Sequence, residues 1–102
     1  MEKNIIEDLE KNLKNLKQKN VIINQKGFLE SKYLINNLKY FIESDILNIL
    51  DEKEQNYIKI NLNQVYKIYN KEKIIFYLDN DTTIILDNYP PVILGDNYAK
   101  NI

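Results

Sequence analysis

Carboxylates, lysines and tyrosines are the only ionisable side chains this chain has to work with. Its 102 residues carry 15 Asp and Glu, 14 basic residues that are all Lys, and eight Tyr, with no His and no Cys. Imidazole acid–base chemistry near neutral pH, thiolate nucleophiles and the usual N/S metal sites are thereby excluded. With no Arg, the planar fork that grips phosphate is missing too. What remains is chemistry on paired carboxylates, with or without a hard cation. The pair best placed for it is Asp79-x-Asp81, followed by Thr83, at the end of the apolar run Ile74-Ile75-Phe76-Tyr77-Leu78. Glu43/Asp45 and Asp51-Glu52-x-Glu54 fall in expected turns, where acids are simply solvated.

The run Ile74–Thr83 resembles the nucleophile motif of haloacid-dehalogenase-type phosphatases. The resemblance implies Asp79 as nucleophile toward phosphate, Asp81 as acid/base, and Mg²⁺ bridging the carboxylate. That family also needs a doubly wound sheet with helices between its strands, and later Lys and acidic motifs for which the sequence after Thr83 leaves no room. Asn80-Asp81 is equally ordinary hairpin-turn chemistry, and the turn is the reading taken forward. An Mg-dependent phosphatase-like site is the third-ranked reading. A Ca²⁺ loop of the EF-hand kind lacks its Gly and distal Glu. Gly27 and Gly95 stand too far apart to write a phosphate-cradling loop, so no cofactor and no metal are expected.

The elements that would position these residues follow from periodicity. Ile6, Leu9, Leu13 and Leu16 place one apolar face on a helix over about residues 3–19, with Asn4 and Glu7 in capping-box spacing. From Val21 on, β-branched and aromatic residues come in short runs. Val21–Asn24, Tyr57–Leu62, Val65–Tyr69, Ile74–Asp79 and Thr82–Asp87 read as strands, with Val92–Leu94 a last short one before a frayed tail at 95–102. Phe28–Glu54 admits a helical stripe or a hairpin turning at Ser44-Asp45. The hairpin is favoured because Tyr40–Leu50 aligns without gaps on Phe76–Leu86, with eight of eleven pairs identical or conservative.

The expected fold is therefore α+β and a single domain over 1–102: an N-terminal helix packed on a curved antiparallel sheet of five to seven strands, a small barrel-like form or meander. The layout from Asn4 to about Tyr69 resembles the Sm-like arrangement of a short helix on a bent barrel. The glycine and acidic positions of the Sm motifs are absent, so the resemblance implies no RNA binding here. Core candidates are the helix face plus Ile22, Leu38, Ile42, Ile58, Ile60, Val65, Ile68, Ile75, Leu78, Ile85 and Leu86.

Net charge is −1 and the pI about 5.4, which provides no global pull toward nucleic acid or an acidic membrane. The opening MEKNIIEDLE is acidic and no apolar run approaches the ~20 residues of a membrane span, so a cytoplasmic protein without membrane association is expected. Lys without Arg, together with abundant Asn, Ile and Tyr, is the mark of AT-rich coding, bacterial or from a phage or mobile element.

Eight tyrosines are more than so small a domain can bury with paired hydroxyls, and exposed Tyr is a common anchor at protein interfaces. The first reading is accordingly a non-catalytic small binding protein, an inhibitor or accessory factor acting on another protein and itself able to form a homo-oligomer. Tyr66, Tyr69 and Tyr77 would be its anchors and Asp79 and Asp81 an acidic turn. The alternative is a nucleic-acid or nucleotide binder using Lys14, Lys17 and Lys19 at the helix end; the missing Arg weighs against it.

Overall fold

Among the described residues, hydrophobic spacing and turn chemistry resolve into one α-helix and eight strands. The computed structural model describes residues 3–53 and 57–88. Leu9, Leu13 and Leu16 form the buried stripe of α1 (Lys3–Leu16), with Ile6 half-buried at its start. The helix stops three residues short of the expected Lys19. Gln18 takes φ 66°, which a right-handed helix does not continue. Its N–H turns instead to the Leu38 carbonyl at 2.9 Å, and Lys19 N–H closes back on Leu16 at 3.1 Å. Asn4 lies inside the first turn and is not the cap.

The strands are β1 (Val21–Lys26), β2 (Ser31–Ile35), β3 (Lys39–Glu43), β4 (Ile46–Leu50), β5 (Tyr57–Asn61), β6 (Val65–Asn70), β7 (Ile74–Leu78) and β8 (Thr83–Asn88). All neighbours are antiparallel. They form a five-stranded sheet ordered β2-β1-β8-β7-β6 and a three-stranded sheet ordered β3-β4-β5. The α+β class stands. The expected single sheet of five to seven strands is corrected to eight strands in two sheets among the described residues, and neither sheet is closed.

The division has a local cause at each crossing. Between β2 and β3, Asn37 adopts φ 58° and is held by Asn20 Oδ1 (3.2 Å) and Glu52 Oε2 (2.9 Å), which swings the chain out of the first sheet. Between β5 and β6 a 3-10 turn, Leu62–Gln64, brings it back, capped by the Asn61 side chain accepting from Asn63 N–H at 3.0 Å. Within 28–53 the chain forms β2, β3 and β4, with Ser44 (φ 52°) and Asp45 (φ 62°) making the two-residue turn of the expected hairpin. Val92–Leu94 and the tail from Gly95 lie outside the described residues. Among the described residues no helix is long and apolar enough to cross a membrane.

One core joins α1 to the inner faces of both sheets. Val21, Ile23, Ile74, Phe76, Ile84 and Leu86 enter it from the larger sheet, Leu47, Ile49 and Ile60 from the smaller, and Leu38 from the link to β3. Of the expected core, Leu9, Leu13, Leu16, Leu38, Ile60, Leu78 and Leu86 are buried, while Ile42, Ile58, Val65 and Ile68 pack at its margin. Ile22, Ile75 and Ile85 do not enter it. They alternate with buried neighbours and stand half-buried on the opposite face of the larger sheet.

Three expectations follow for stability. Phe76→Ala, which empties a fully buried position, should lose about 3–5 kcal/mol in denaturant unfolding. Ile85→Ala, on the outer face, should lose about 1 kcal/mol. Tyr40 packs against the core and donates its hydroxyl to the Glu10 carbonyl of α1 at 3.5 Å. Burial, and then the Glu10 charge, raise its phenol pKa. The neutral form is therefore the one favoured by folding, and this contribution is complete below about pH 10 and lost as pH rises through the raised value. Thermal midpoints above about pH 10 should fall more steeply for the natural protein than for Tyr40→Phe.

Candidate binding surface

The outer face of the larger sheet gathers the residues of interest, and a single irregularity arranges them. In the β6–β7 pair Val65 stands opposite Leu78, but the next pair is Lys67 with Tyr77, so Tyr66 is the extra residue of a β-bulge. Val65 points inward. Plain alternation would then send Tyr66 out, Lys67 in, Ile68 out and Tyr69 in. The bulge resets the count. Tyr66 and Lys67 both face outward, Ile68 turns in beside the core opposite Phe76, and Tyr69 faces outward opposite Ile75.

Tyr66, Lys67 and Tyr77 consequently form one cluster. The Tyr66 and Tyr77 rings lie 6.4 Å apart at a 42° tilt. Lys67 Nζ sits 5.6 Å from the Tyr77 ring centre, a cation–π contact worth about 0.5–1 kcal/mol at an exposed site. Tyr66 remains 69% exposed and Tyr69 38%. Across the sheet the register continues Tyr69–Ile75–Ile85–Asn24 in one row, and Lys67–Tyr77–Thr83–Lys26 in the next. Leu34 and Ile22 face each other on the same side at the β1–β2 pair.

Asp79 and Asp81 sit at the end of this face. Leu78 N–H donates to Thr82 O at 2.9 Å, enclosing a three-residue loop in which Asp81 takes φ 61°. Asn80 Oδ1 accepts from Thr82 N–H at 3.3 Å, and Asp79 N–H donates to Gln64 O at 2.9 Å. Both carboxylates are exposed, and β7 leads into an antiparallel hairpin rather than a helix. Among the described residues no group of three or more His, Cys, Asp or Glu is placed to hold a metal ion.

The neighbouring β1–β2 loop leans on that turn. Gly27 has φ 150°, and a Cβ there would meet Asp81 O at 3.2 Å and Thr82 Cα at 3.3 Å. Glycine thus permits the two loops to touch. Beyond it Phe28 is 100% exposed and Leu29 68%. Reading the sequence for anchors passes over this pair, although an apolar dipeptide straight after a turn glycine breaks the polar habit of turns and is a legible signal. Lys67 was equally hidden, because only the bulge turns it outward.

The lysines of the alternative reading lie elsewhere. Lys14 is in the last turn of α1, and Lys17 and Lys19 follow it, all exposed. Lys19 lines a shallow cleft of about 170 Å³ with Asn12, Leu16, Lys71 and Glu72. That is the β6–β7 turn, at the far end of β6 from Tyr66. A wider cleft of about 520 Å³ opens on the smaller sheet between Phe41, Glu43, Asn48, Lys59, Gln64 and Leu78. Asn48 is nearly buried there and donates to Ile46 O at 3.2 Å. Glu43 is the one carboxylate in that lining, so no acid pair is assembled.

Comparison with protein-family models, with curated proteins and with solved structures finds no match for this chain.

The contact between the two loops is testable. Gly27→Ala should lose about 1 kcal/mol or more of stability, through the strained φ and the close Asp81 carbonyl. Amide NMR shifts should move at Asp81 and Thr82 and stay unchanged at the β6–β7 turn.

Proposed function

We propose that this protein is a non-catalytic binding domain that occupies the surface of a partner protein, in the manner of a small cytoplasmic inhibitor or accessory factor. The outer face of the five-stranded sheet is its contact surface. Tyr66, Tyr69 and Tyr77 are the anchors, and the Asp79–Asp81 loop forms an acidic rim. The observation that carries the reading is the bulge at Tyr66, which turns Lys67 and Tyr69 out onto the face that also holds Tyr66 and Tyr77. Tyrosine supplies contact area with few rotatable bonds and a hydroxyl for the wet rim. Half-buried Ile22, Ile75 and Ile85 continue the patch as an apolar floor. The acids, by contrast, are exposed on a loop, and no described residue covers them.

Lys67 over Tyr77 favours one second reading, single-stranded nucleic acid stacked on the tyrosines with its backbone drawn by lysines. It uses a different set of residues from Lys14, Lys17 and Lys19.

One pair of measurements separates these. Native mass spectrometry of the protein captured from its own cytoplasm should show a retained protein. Tyr66→Ala and Tyr77→Ala should each weaken that complex about tenfold or more, with unfolding midpoints little changed, and Lys14→Ala should leave it intact. Elution from heparin near physiological salt is expected. Steeply salt-dependent retention that Lys67→Ala abolishes would replace the protein partner with nucleic acid.

A further inference from the structure

We infer that the free edge of β2 is a self-pairing site: two copies of this chain join β2 to β2, antiparallel, about a two-fold axis at Tyr33. The inference rests on the edge and not on the tyrosine-face reading. In the larger sheet β2 and β6 are the outer strands. The β6 edge has α1 beside it, with Ile5 and Asp8 facing Tyr66, Ile68 and Asn70 across a cleft of about 360 Å³. No described strand or helix covers β2. An open edge offers a row of backbone donors and acceptors whose natural complement is another extended strand.

The side chains say which strand. Of the large apolar residues exposed by a third or more among the described residues, Phe28 (100%), Leu29 (68%), Tyr33 (45%) and Leu34 (49%) fall within this one hairpin. Lys32 interrupts them and restricts the partner. Centring the two-fold on Lys32 would set the two Lys32 side chains directly opposite, which is unfavourable. Centring it on Tyr33 pairs all five residues. Tyr33 then meets Tyr33 of the second copy, Ser31 meets Ile35, and Lys32 meets Leu34, whose side chain can lie along the lysine stem. The strand is its own complement in this register. It also carries each Phe28-Leu29 tip toward the other copy's Asn36–Leu38 link, covering the most exposed apolar residue described.

An axis normal to the sheet keeps both outer faces on the same side. The dimer would therefore present two copies of the Tyr66–Tyr77 cluster on one ten-stranded surface, a bivalent platform suited to a two-fold partner.

The absence of cysteine makes the test clean. Sedimentation of the natural protein across the micromolar range should give twice the 12.2 kDa chain mass. Leu34→Lys, which sets lysine against lysine at two places in the pair, should weaken the dimer at least tenfold while circular dichroism is unchanged. Under mild oxidation Tyr33→Cys should form a covalent dimer and Tyr66→Cys should not. A natural protein that stays at the single-chain mass would overturn the inference. So would a dimer indifferent to Leu34→Lys, or one trapped by Tyr66→Cys in place of Tyr33→Cys.

Discussion

Parity governs this protein. In a short antiparallel strand successive side chains point to opposite faces, so whichever residue is first aligned against the core decides where all the others go. Three local features set that count. The Ser44-Asp45 turn encloses two residues, the Asp79–Asp81 loop encloses three, and the bulge at Tyr66 adds one to β6. Each is a small matter of backbone geometry. Together they determine which side chains form the core and which form the surface on which any binding depends.

The two hairpins that look alike in sequence show the effect most directly. Tyr40–Ile42 and Phe76–Leu78 correspond in face as well as in sequence: Tyr40 and Ile42 turn toward the core, as Phe76 and Leu78 do. Past the turn the correspondence slips by one residue, because one loop is longer. Ile49 is fully buried while its sequence counterpart Ile85 faces outward, and the core position passes to Ile84 and Leu86. The sequence likeness is real as hairpin chemistry. It does not carry over to burial.

The same reasoning separates what was legible in the sequence from what was not. The helical stripe of Leu9, Leu13 and Leu16 repeats at a period that belongs to one structure only, and it was read correctly. Strand existence was legible from β-branched runs and turn residues outside Phe28–Glu54, where a helical stripe competed with the hairpin and β2 had no run of its own. Facing was not, because Val21-Ile22-Ile23, Ile74-Ile75-Phe76 and Ile84-Ile85-Leu86 are apolar at every position and contain no alternation to read. The helix end was hidden for a different reason: Gln18 is bent by its tertiary bond to Leu38, far along the chain. At the candidate surface, Tyr66, Tyr77, Asp79 and Asp81 were picked out by residue type and do come to one end of the sheet. The outward turn of Tyr69 and Lys67 beside them depends on a bulge with no signature in sequence.

Those uniformly apolar strands also bear on what the outer face is for. An antiparallel sheet with one face packed and one in water normally shows apolar-in, polar-out alternation. Here the central strands β1, β8 and β7 place Ile22, Ile85 and Ile75 on the side away from the core, with Ile75 opposite Tyr69 and Ile22 between Asp87 and Leu34. Coding bias toward Ile can raise their number, but it acts equally on every strand. On β3, at the edge of the smaller sheet, the outward residues are mixed, with exposed Phe41 between exposed Lys39 and Glu43. Apolar residues on both faces are the pattern of strands that end up covered on both sides. α1 and the smaller sheet supply one cover. The proposed partner surface supplies the other, with the tyrosines at its margin, where one end of each ring stays apolar and the other wet.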